Sequence, residues 1–453
     1  MFPQLTTNQS SGPNDIPANL DDFVNWCINR GLVHEIHTSE RKSFRSCRRR
    51  WDWLYRNNYY PRVTAKPLEF GVAYHVGMET FYNPDTWLFD SEVKLQRAIQ
   101  EFVNECERQK QSALANQNEV DLDYNAEEDY NERIELGRGM LEYYAKVVAP
   151  VEDNFTPVKV EIEFMVPIPN VETGQPYIFC KCNECKEKWC SFLDDRAAAK
   201  SHQLNAQREP GTFGQVTMQP AQFLLTLKDS DWMGLPVCYG GRLDCLVKDK
   251  WNNYWIVDWK TASAISSDKE FLDLDDQIGT YVWALRKLGI DIKGFIYHEQ
   301  LKNFPQPPKE NKRLSGGRRF SVDKNQPTTF DIYLAHVARY DTEAWGAGAY
   351  DEFLNFLREE GKKFYDRREV HKSPEAVANL EYNLSLEALD MLDPNLRVYP
   401  QSGRFSCGFC AYRFPCIEKN NGGDYLYTLN SLYERKIHYY KEKRLSTETQ
   451  GGE

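Results

Sequence analysis

Asp244, Asp258 and Lys260 are residues whose types and spacing could do chemistry together. They lie in the stretch Gly240 to Ala262, GGRLDCLVKDKWNNYWIVDWKTA. Two β-rich runs, Arg242 to Val247 and Tyr254 to Lys260, flank the polar segment DKWNN, the pattern of an antiparallel hairpin. Asp244 and Asp258 stand equally far from Trp251 in the turn, so a simple hairpin sets their carboxylates opposite each other. Strand side chains alternate between faces, which puts Asp258 and Lys260 on the same one. Two acids and an amine on one patch suit metal-assisted hydrolysis. Mg2+ or Mn2+ takes carboxylate oxygens and keeps several waters, and a nearby ammonium stabilises developing negative charge or orients the attacking water. A surface hairpin with an ordinary ion pair would carry the same residues, so the case rests on what else the chain brings to this patch.

Other elements offer candidates. Phe70 to Glu79, FGVAYHVGME, reads as the start of a helix with His75 on its first turns. From Val158 to Phe164 the apolar residues alternate with Lys159, Glu161 and Glu163, a half-buried strand with two acids on its polar face. Asp276 to Leu285 reads as a helix with Gln277 and Tyr281 four apart on one side. Earlier, Leu20 to Arg30 forms a short helix, and Thr38 or Ser39 caps a second one running to about Tyr55. That helix carries Arg41, Lys42, Arg45, Arg48, Arg49 and Arg50 opposite its apolar side, as a solvated or a phosphate-contacting face. Charged helices fill Ser91 to about Val148. Beyond the Gln277 helix come a strand from Gly294 to Gln300, a basic loop from Lys302 to Lys324, and a strand from Phe330 to Val337. Helices over Glu343 to Arg368 and Ser373 to Asn383 follow.

The cysteines are clustered. Cys180, Cys182, Cys185 and Cys190, with His202 further on, sit in a polar insertion of roughly Gln175 to Phe213 and look like a structural zinc knuckle. Cys182 and Cys185 form its firmest pair. Near the other end, Cys407, Cys410 and Cys416 give C-x2-C-x5-C, three thiolates that need a fourth from elsewhere; Cys47 is the natural supplier. In a chain that is not secreted, clustered cysteines point to metals before disulfides. The polar start MFPQLTTNQSSGPND has no secretory pattern, and no apolar run approaches the ~20 residues of a membrane span. A cytoplasmic protein is expected. With 453 residues, 41% of them hydrophobic, the chain can hold two or three domains or one elaborated domain. A net charge of -11 argues against general polyanion coating but leaves room for a local basic track. No Walker A sequence is present, which excludes an encoded ATPase of that type.

Asp244 followed by Asp258-Trp259-Lys260 resembles the PD-(D/E)XK nuclease superfamily, whose core has an acid on one strand and (D/E)-x-K on the next. His75 in G-x-x-x-H, Glu161 in V-E-x-x-F, and Gln277 and Tyr281 in Q-x-x-x-Y are similar to motifs of its RecB-like members. One N-terminal cysteine with a C-terminal C-x2-C-x5-C resembles the iron-sulfur branch, including the AddB-type and CRISPR-associated families. The resemblance implies an α/β fold with a mixed central sheet flanked by helices, a restriction-endonuclease-like core. It implies Mg2+ or Mn2+ held by Asp244, Asp258, the Trp259 carbonyl and His75, helped by Glu161 or, on the same strand face, Glu163. Lys260 would serve the attacking water. Gln277 and Tyr281 would position DNA. Cys47, Cys407, Cys410 and Cys416 would hold a 4Fe-4S cluster, with zinc the alternative for the same thiolates, joining the N- and C-terminal segments.

The implied organisation is a tail and short helix over 1–38, the first part of a nuclease domain over 39–174, and the cysteine-rich insertion over 175–213. The catalytic core over 214–395 and the cluster segment with its tail over 396–453 complete it. The implied activity is DNA exonuclease, on single strands or ends, in replication, recombination or repair, with replication or recombination proteins as partners and a bacteriophage origin plausible for a stand-alone chain. The rival is a non-catalytic nucleic-acid-binding or scaffold protein on the same fold.

Overall fold

The computed structural model describes residues 20–29, 33–62, 66–115, 126–171, 173–179, 235–267, 270–315, 317–393 and 396–435. Cys180, Cys182, Cys185, Cys190 and His202, the candidate zinc ligands, lie outside these residues. The strands are β1 His34–Ile36, β2 Tyr59–Pro61, β3 Phe155–Pro167, β4 Ile178–Phe179, β5 Leu235–Asp249 and β6 Tyr254–Ala262. They continue with β7 Ile292–Leu301, β8 Glu310–Ser315, β9 Arg318–Phe320, β10 Tyr365–Val370 and β11 Tyr433–Arg435.

Among the described residues, seven strands make one mixed sheet along the path β1-β5-β6-β7-β10, with β3 and β4 also paired to β5. β1 with β5 and β6 with β7 are parallel, and the other pairs are antiparallel. The sheet is organised by β5. Along one edge β3 follows it from Cys238 to Asp249. β1 pairs with Val237 to Tyr239, whereas β6 pairs with Cys245 to Lys248. The ladder between β5 and β6 ends at Cys245 opposite Val257, so the two strands part just where Asp244 and Asp258 sit. Gly240 belongs to this design, because a Cβ there would meet the buried Glu35 carboxylate of β1 at 2.0 Å.

Helices cover both faces. Leu243, Leu246 and Ile256 share a core with Ile278, Val282 and Leu285 of the Asp276–Lys287 helix and with Leu384 and Ala388 of the Pro374–Leu392 helix. On the other face Val257, Trp259, Cys245 and Val247 pack with residues of the Lys66–Phe81, Ser91–Ala115 and Ala126–Tyr143 helices. The Asp276–Lys287 helix starts where it does because the Asp275 side chain caps the Gln277 N–H, and it ends on Arg286 and Lys287. The expected α/β architecture with a mixed sheet between helical layers is therefore present.

Several local expectations are corrected. The helix from Thr38 does not reach Tyr55: it stops at Ser46, Cys47 takes an extended backbone, and helix resumes at Arg48. Phe330 to Val337 is not a strand but part of a helix, Phe330–Tyr340, capped by Thr329 and burying Tyr333 and Val337 one turn apart. The helix expected over Glu343 to Arg368 is two short helices, Thr342–Gly346 and Asp351–Glu359, broken at Gly348 with φ 76°, followed by β10. The helix from Ser373 continues to Leu392 instead of ending at Asn383. On β3 the alternation is interrupted at Glu161, whose φ of 50° is left-handed. Val160 accordingly packs toward one core and Ile162 toward the other.

Behind β6 lies a buried polar network. Arg367 of β10 pairs with Asp153 at 2.7 Å, each side chain 6% exposed, and donates to the Tyr144 hydroxyl at 2.6 Å. The Trp259 indole N–H donates to that hydroxyl at 3.3 Å, and its ring stacks on Tyr82 at 4.8 Å. Arg367→Met would leave the Asp153 charge buried without its partner, so it should lower stability by about 3–5 kcal/mol. The unfolding midpoint in urea checks this.

Candidate active site

The parting of β5 and β6 leaves the Trp259 backbone N–H without a ladder partner on β5. Asp244 supplies one, its Oδ2 accepting at 3.0 Å. The same oxygen lies 3.2 Å from His75 Nδ1, on the helix that covers one face. From the opposite face Gln277 Nε2 donates to Asp258 Oδ1 at 3.1 Å, while Lys260 Nζ pairs with Asp258 Oδ2 at 2.7 Å. Asp244, Asp258, Lys260 and His75 thus meet at one fork, reached from both sides of the sheet. Glu161, on the strand beside β5, is held by Arg242 Nε at 2.6 Å. Glu163 is exposed, which separates the two acids that share a strand face in a regular reading.

Electrostatics at the fork follow from burial and pairing. Burial opposes the negative charge of Asp244, but His75, Lys260 and the Trp259 N–H outweigh it and hold this carboxyl below the usual range. Asp258 goes the other way: burial and then the Asp244 charge raise it, against the pull of Lys260. Burial would also discharge Lys260, yet Asp258 and Asp244 more than offset that, so the ammonium is held above its ordinary value. His75 is likewise raised, burial being outweighed by Asp244. Glu161 is pushed up to about 7 by burial, opposed by Arg242 and assisted by Glu79 and Asp244.

Gln277 and Tyr281 brace the fork. Gln277 holds Asp258, and the Tyr281 hydroxyl donates to the Arg242 carbonyl at 3.0 Å. Two neighbours escaped the sequence reading. Glu79 lies one helical turn beyond His75 and acts on Glu161, and Arg242 lies two residues before Asp244 on β5. The i, i+4 spacing on the helix and the period of two on the strand are the signals that would have found them. Four of the six basic residues after Thr38, by contrast, are tied up. Arg41 and Arg45 pair with Asp276 and Glu387, Lys42 with Asp275 and Arg48 with Asp390, so this face packs the helix onto its neighbours.

Cys47, Cys407, Cys410 and Cys416 line one cavity of about 380 Å³ together with Arg49 and Arg50. The Gln401 N–H donates to Cys47 Sγ at 3.5 Å, the Gly403 N–H to Cys407 Sγ at 3.4 Å, and Arg49 to Cys416 Sγ at 3.3 Å. All four are free thiols. Among the described residues, no group of three or more His, Cys, Asp or Glu is drawn closely enough together to grip a metal ion as it stands. By donor chemistry, the fork fits a hard divalent ion and the cavity fits a thiolate-bound group.

Two acids, an imidazole and an ammonium, set where the central strands of a mixed sheet part, are groups suited to metal-assisted phosphodiester hydrolysis. The chain matches the family model of the PD-(D/E)XK nuclease superfamily over residues 38–417, and it belongs to that superfamily. Membership implies a metal-dependent nuclease acting on DNA. No curated protein matches the chain. Among the described residues no helix is long and apolar enough to cross a membrane.

Because His75, Asp258 and Glu161 are all held above their ordinary values, each must shed its proton to become a ligand. Mn2+ binding should therefore release protons and tighten as pH rises toward and through about 7, the value for Glu161. Calorimetric titrations in buffers of different ionisation enthalpy measure this directly. An enthalpy independent of buffer would contradict it.

Proposed function

We propose that this chain is a DNA exonuclease working on single strands or DNA ends, in replication, recombination or repair. The observation that carries the reading is the joining of Asp244, Asp258, Lys260 and His75 at the β5–β6 fork. Asp244, Asp258, His75 and the Trp259 carbonyl, with Glu161, would hold one or two Mg2+ or Mn2+ ions. When bound, such an ion would supply Lewis-acid polarisation of a phosphoryl oxygen and a more acidic water. Lys260 keeps its proton beside two carboxylates, so its part is to hold the water and offset charge developing on the phosphorane, not to abstract a proton. Gln277 holds one oxygen of Asp258 and Lys260 the other, which fixes the orientation of that carboxylate.

Cys47, Cys407, Cys410 and Cys416 are the proposed ligands of a 4Fe-4S cluster. Support comes from their shared cavity and from N–H groups already directed at sulfur, which stabilise thiolate charge. A zinc site on the same thiolates is the alternative, and a chain that binds DNA without cutting it is the alternative activity.

Digestion of end-labelled single- and double-stranded DNA with Mn2+, Mg2+ or EDTA tests the activity. Asp258→Ala and Lys260→Ala should each slow cleavage by at least about 100-fold while leaving the fold intact. Cleavage by Asp258→Ala at the wild-type rate would sink the assignment. For the cluster, anaerobically purified protein should contain iron and inorganic sulfide and absorb broadly in the visible. Cys410→Ser should lose both metal and colour, whereas zinc in the wild type would decide for the alternative.

A further inference from the structure

Three phenylalanines of the cysteine-bearing segment stand almost wholly in solvent: Phe405 is 83% exposed, Phe409 94% and Phe414 69%. Looseness does not account for this. Tyr412, between them, is buried, donates to the Tyr59 carbonyl and stacks on Tyr433 at 5.0 Å. Trp53, Tyr59, Leu429 and Tyr433 complete a small core beneath the segment. An anchored backbone therefore presents large apolar rings outward, a costly arrangement unless something covers them.

The charge around the rings says what that is. Arg404 and Arg413 flank the phenylalanines, are themselves exposed, and line the cysteine cavity along with Arg50. On a chain of net charge -11 these guanidinium groups mark a local anion-binding surface. A partner with flat apolar faces and regularly spaced negative charges suits both features. An unpaired nucleic-acid strand has this form, since its bases are free to stack and its phosphates remain outside. A duplex hides its base faces, and an acidic peptide lacks them.

The surface is also connected to the fork through a series of contacts. Gln401 holds Cys47 at the end of the Thr38–Ser46 helix, which is clamped by Lys42 and Arg45 to Asp275 and Asp276. These residues begin the helix whose Gln277 holds Asp258.

We propose that Phe405, Phe409 and Phe414, with Arg404 and Arg413, form a stacking platform for unpaired nucleotides of the strand presented to the fork. The proposal rests on the nuclease reading of that fork. Sequence preference is not expected, because every base offers a π-face.

Binding of labelled thymidylate and uridylate oligomers, a blunt duplex and anionic phosphatidylserine vesicles by the full chain in EDTA tests it without cleavage. The double variant Phe409→Ala/Phe414→Ala changes only exposed rings, and its thermal melting should match the wild type. It should bind the oligomers roughly 5- to 100-fold more weakly with an unchanged salt slope. Arg404→Gln/Arg413→Gln should instead flatten that slope, by roughly 0.7 for each charge that meets a phosphate. The two oligomers distinguish DNA from RNA as the preferred strand. Wild-type oligomer affinity in the phenylalanine variant overturns the platform, as does a loss confined to vesicles. Cleavage in Mn2+ is read separately. If the wild type cleaves and the phenylalanine variant binds normally, the platform fails and the nuclease stands. If the oligomer is held through the rings by a chain that never cleaves, the nuclease reading fails instead.

Discussion

A single backbone N–H shapes the centre of this molecule. Where β5 and β6 diverge, the Trp259 N–H has no backbone partner on β5, and the side-chain carboxylate of Asp244 takes the place that a ladder carbonyl would fill. An unpaired N–H at such a buried point would cost on the order of 1–3 kcal/mol, so the acid has a structural part independent of any chemistry. The surroundings follow from that substitution. The His75 helix compensates the Asp244 charge from one face, and Lys260, through Asp258, compensates from the other. Gln277 and Tyr281 then keep the strands from closing or opening further. The same groups that make the fork affordable in a low dielectric are those a divalent ion and a phosphodiester would need.

The rear of the fork is equally constrained. Trp259 is buried, stacked on Tyr82 and hydrogen-bonded through its indole to Tyr144, which Arg367 also holds. Asp258 and Lys260 are its immediate neighbours, so their direction is set by a bulky side chain that has one place to go. Precision of this kind comes from packing and second-layer hydrogen bonds and not from the acids themselves.

Much of the centre could be read without coordinates because its physics is local. A polar turn between two β-rich runs marks the hairpin that carries Asp244, Asp258 and Lys260, whereas the parting of its strands beyond Cys245 and Val257, which undoes the directly opposed pairing of a simple hairpin, is not a local property. His75 and Gln277 were legible as residues on helices, though their targets were not. What stayed hidden depends on tertiary context. Cys47 breaks its helix with no proline or glycine nearby, because it must turn toward residues far along the chain. Tyr365 to Val370, rich in charge, looks helical until it is paired at the sheet's edge, where charged side chains suit a strand with one open side. Glu161 was legible as an acid but not as a left-handed residue, a conformation that non-glycine side chains rarely hold without surrounding support. Glu79 and Arg242 were overlooked because each looks like an ordinary surface charge in isolation.

The pairing of β11 with β2 sets an order on the life of the chain. Tyr59 reaches Asn430, 371 residues away, and the small core between them closes only when both are present. The β5–β6 hairpin, by contrast, joins residues a few positions apart. On a ribosome the fork is complete in sequence well before its cap, and closing so long a loop is slow relative to hairpin formation. A nascent chain would therefore hold its acids in register while the Cys47 helix break still waits for its partners. The core that joins Tyr59 to Tyr433 therefore closes after the hairpin that carries Asp244 and Asp258, an order imposed by loop length alone.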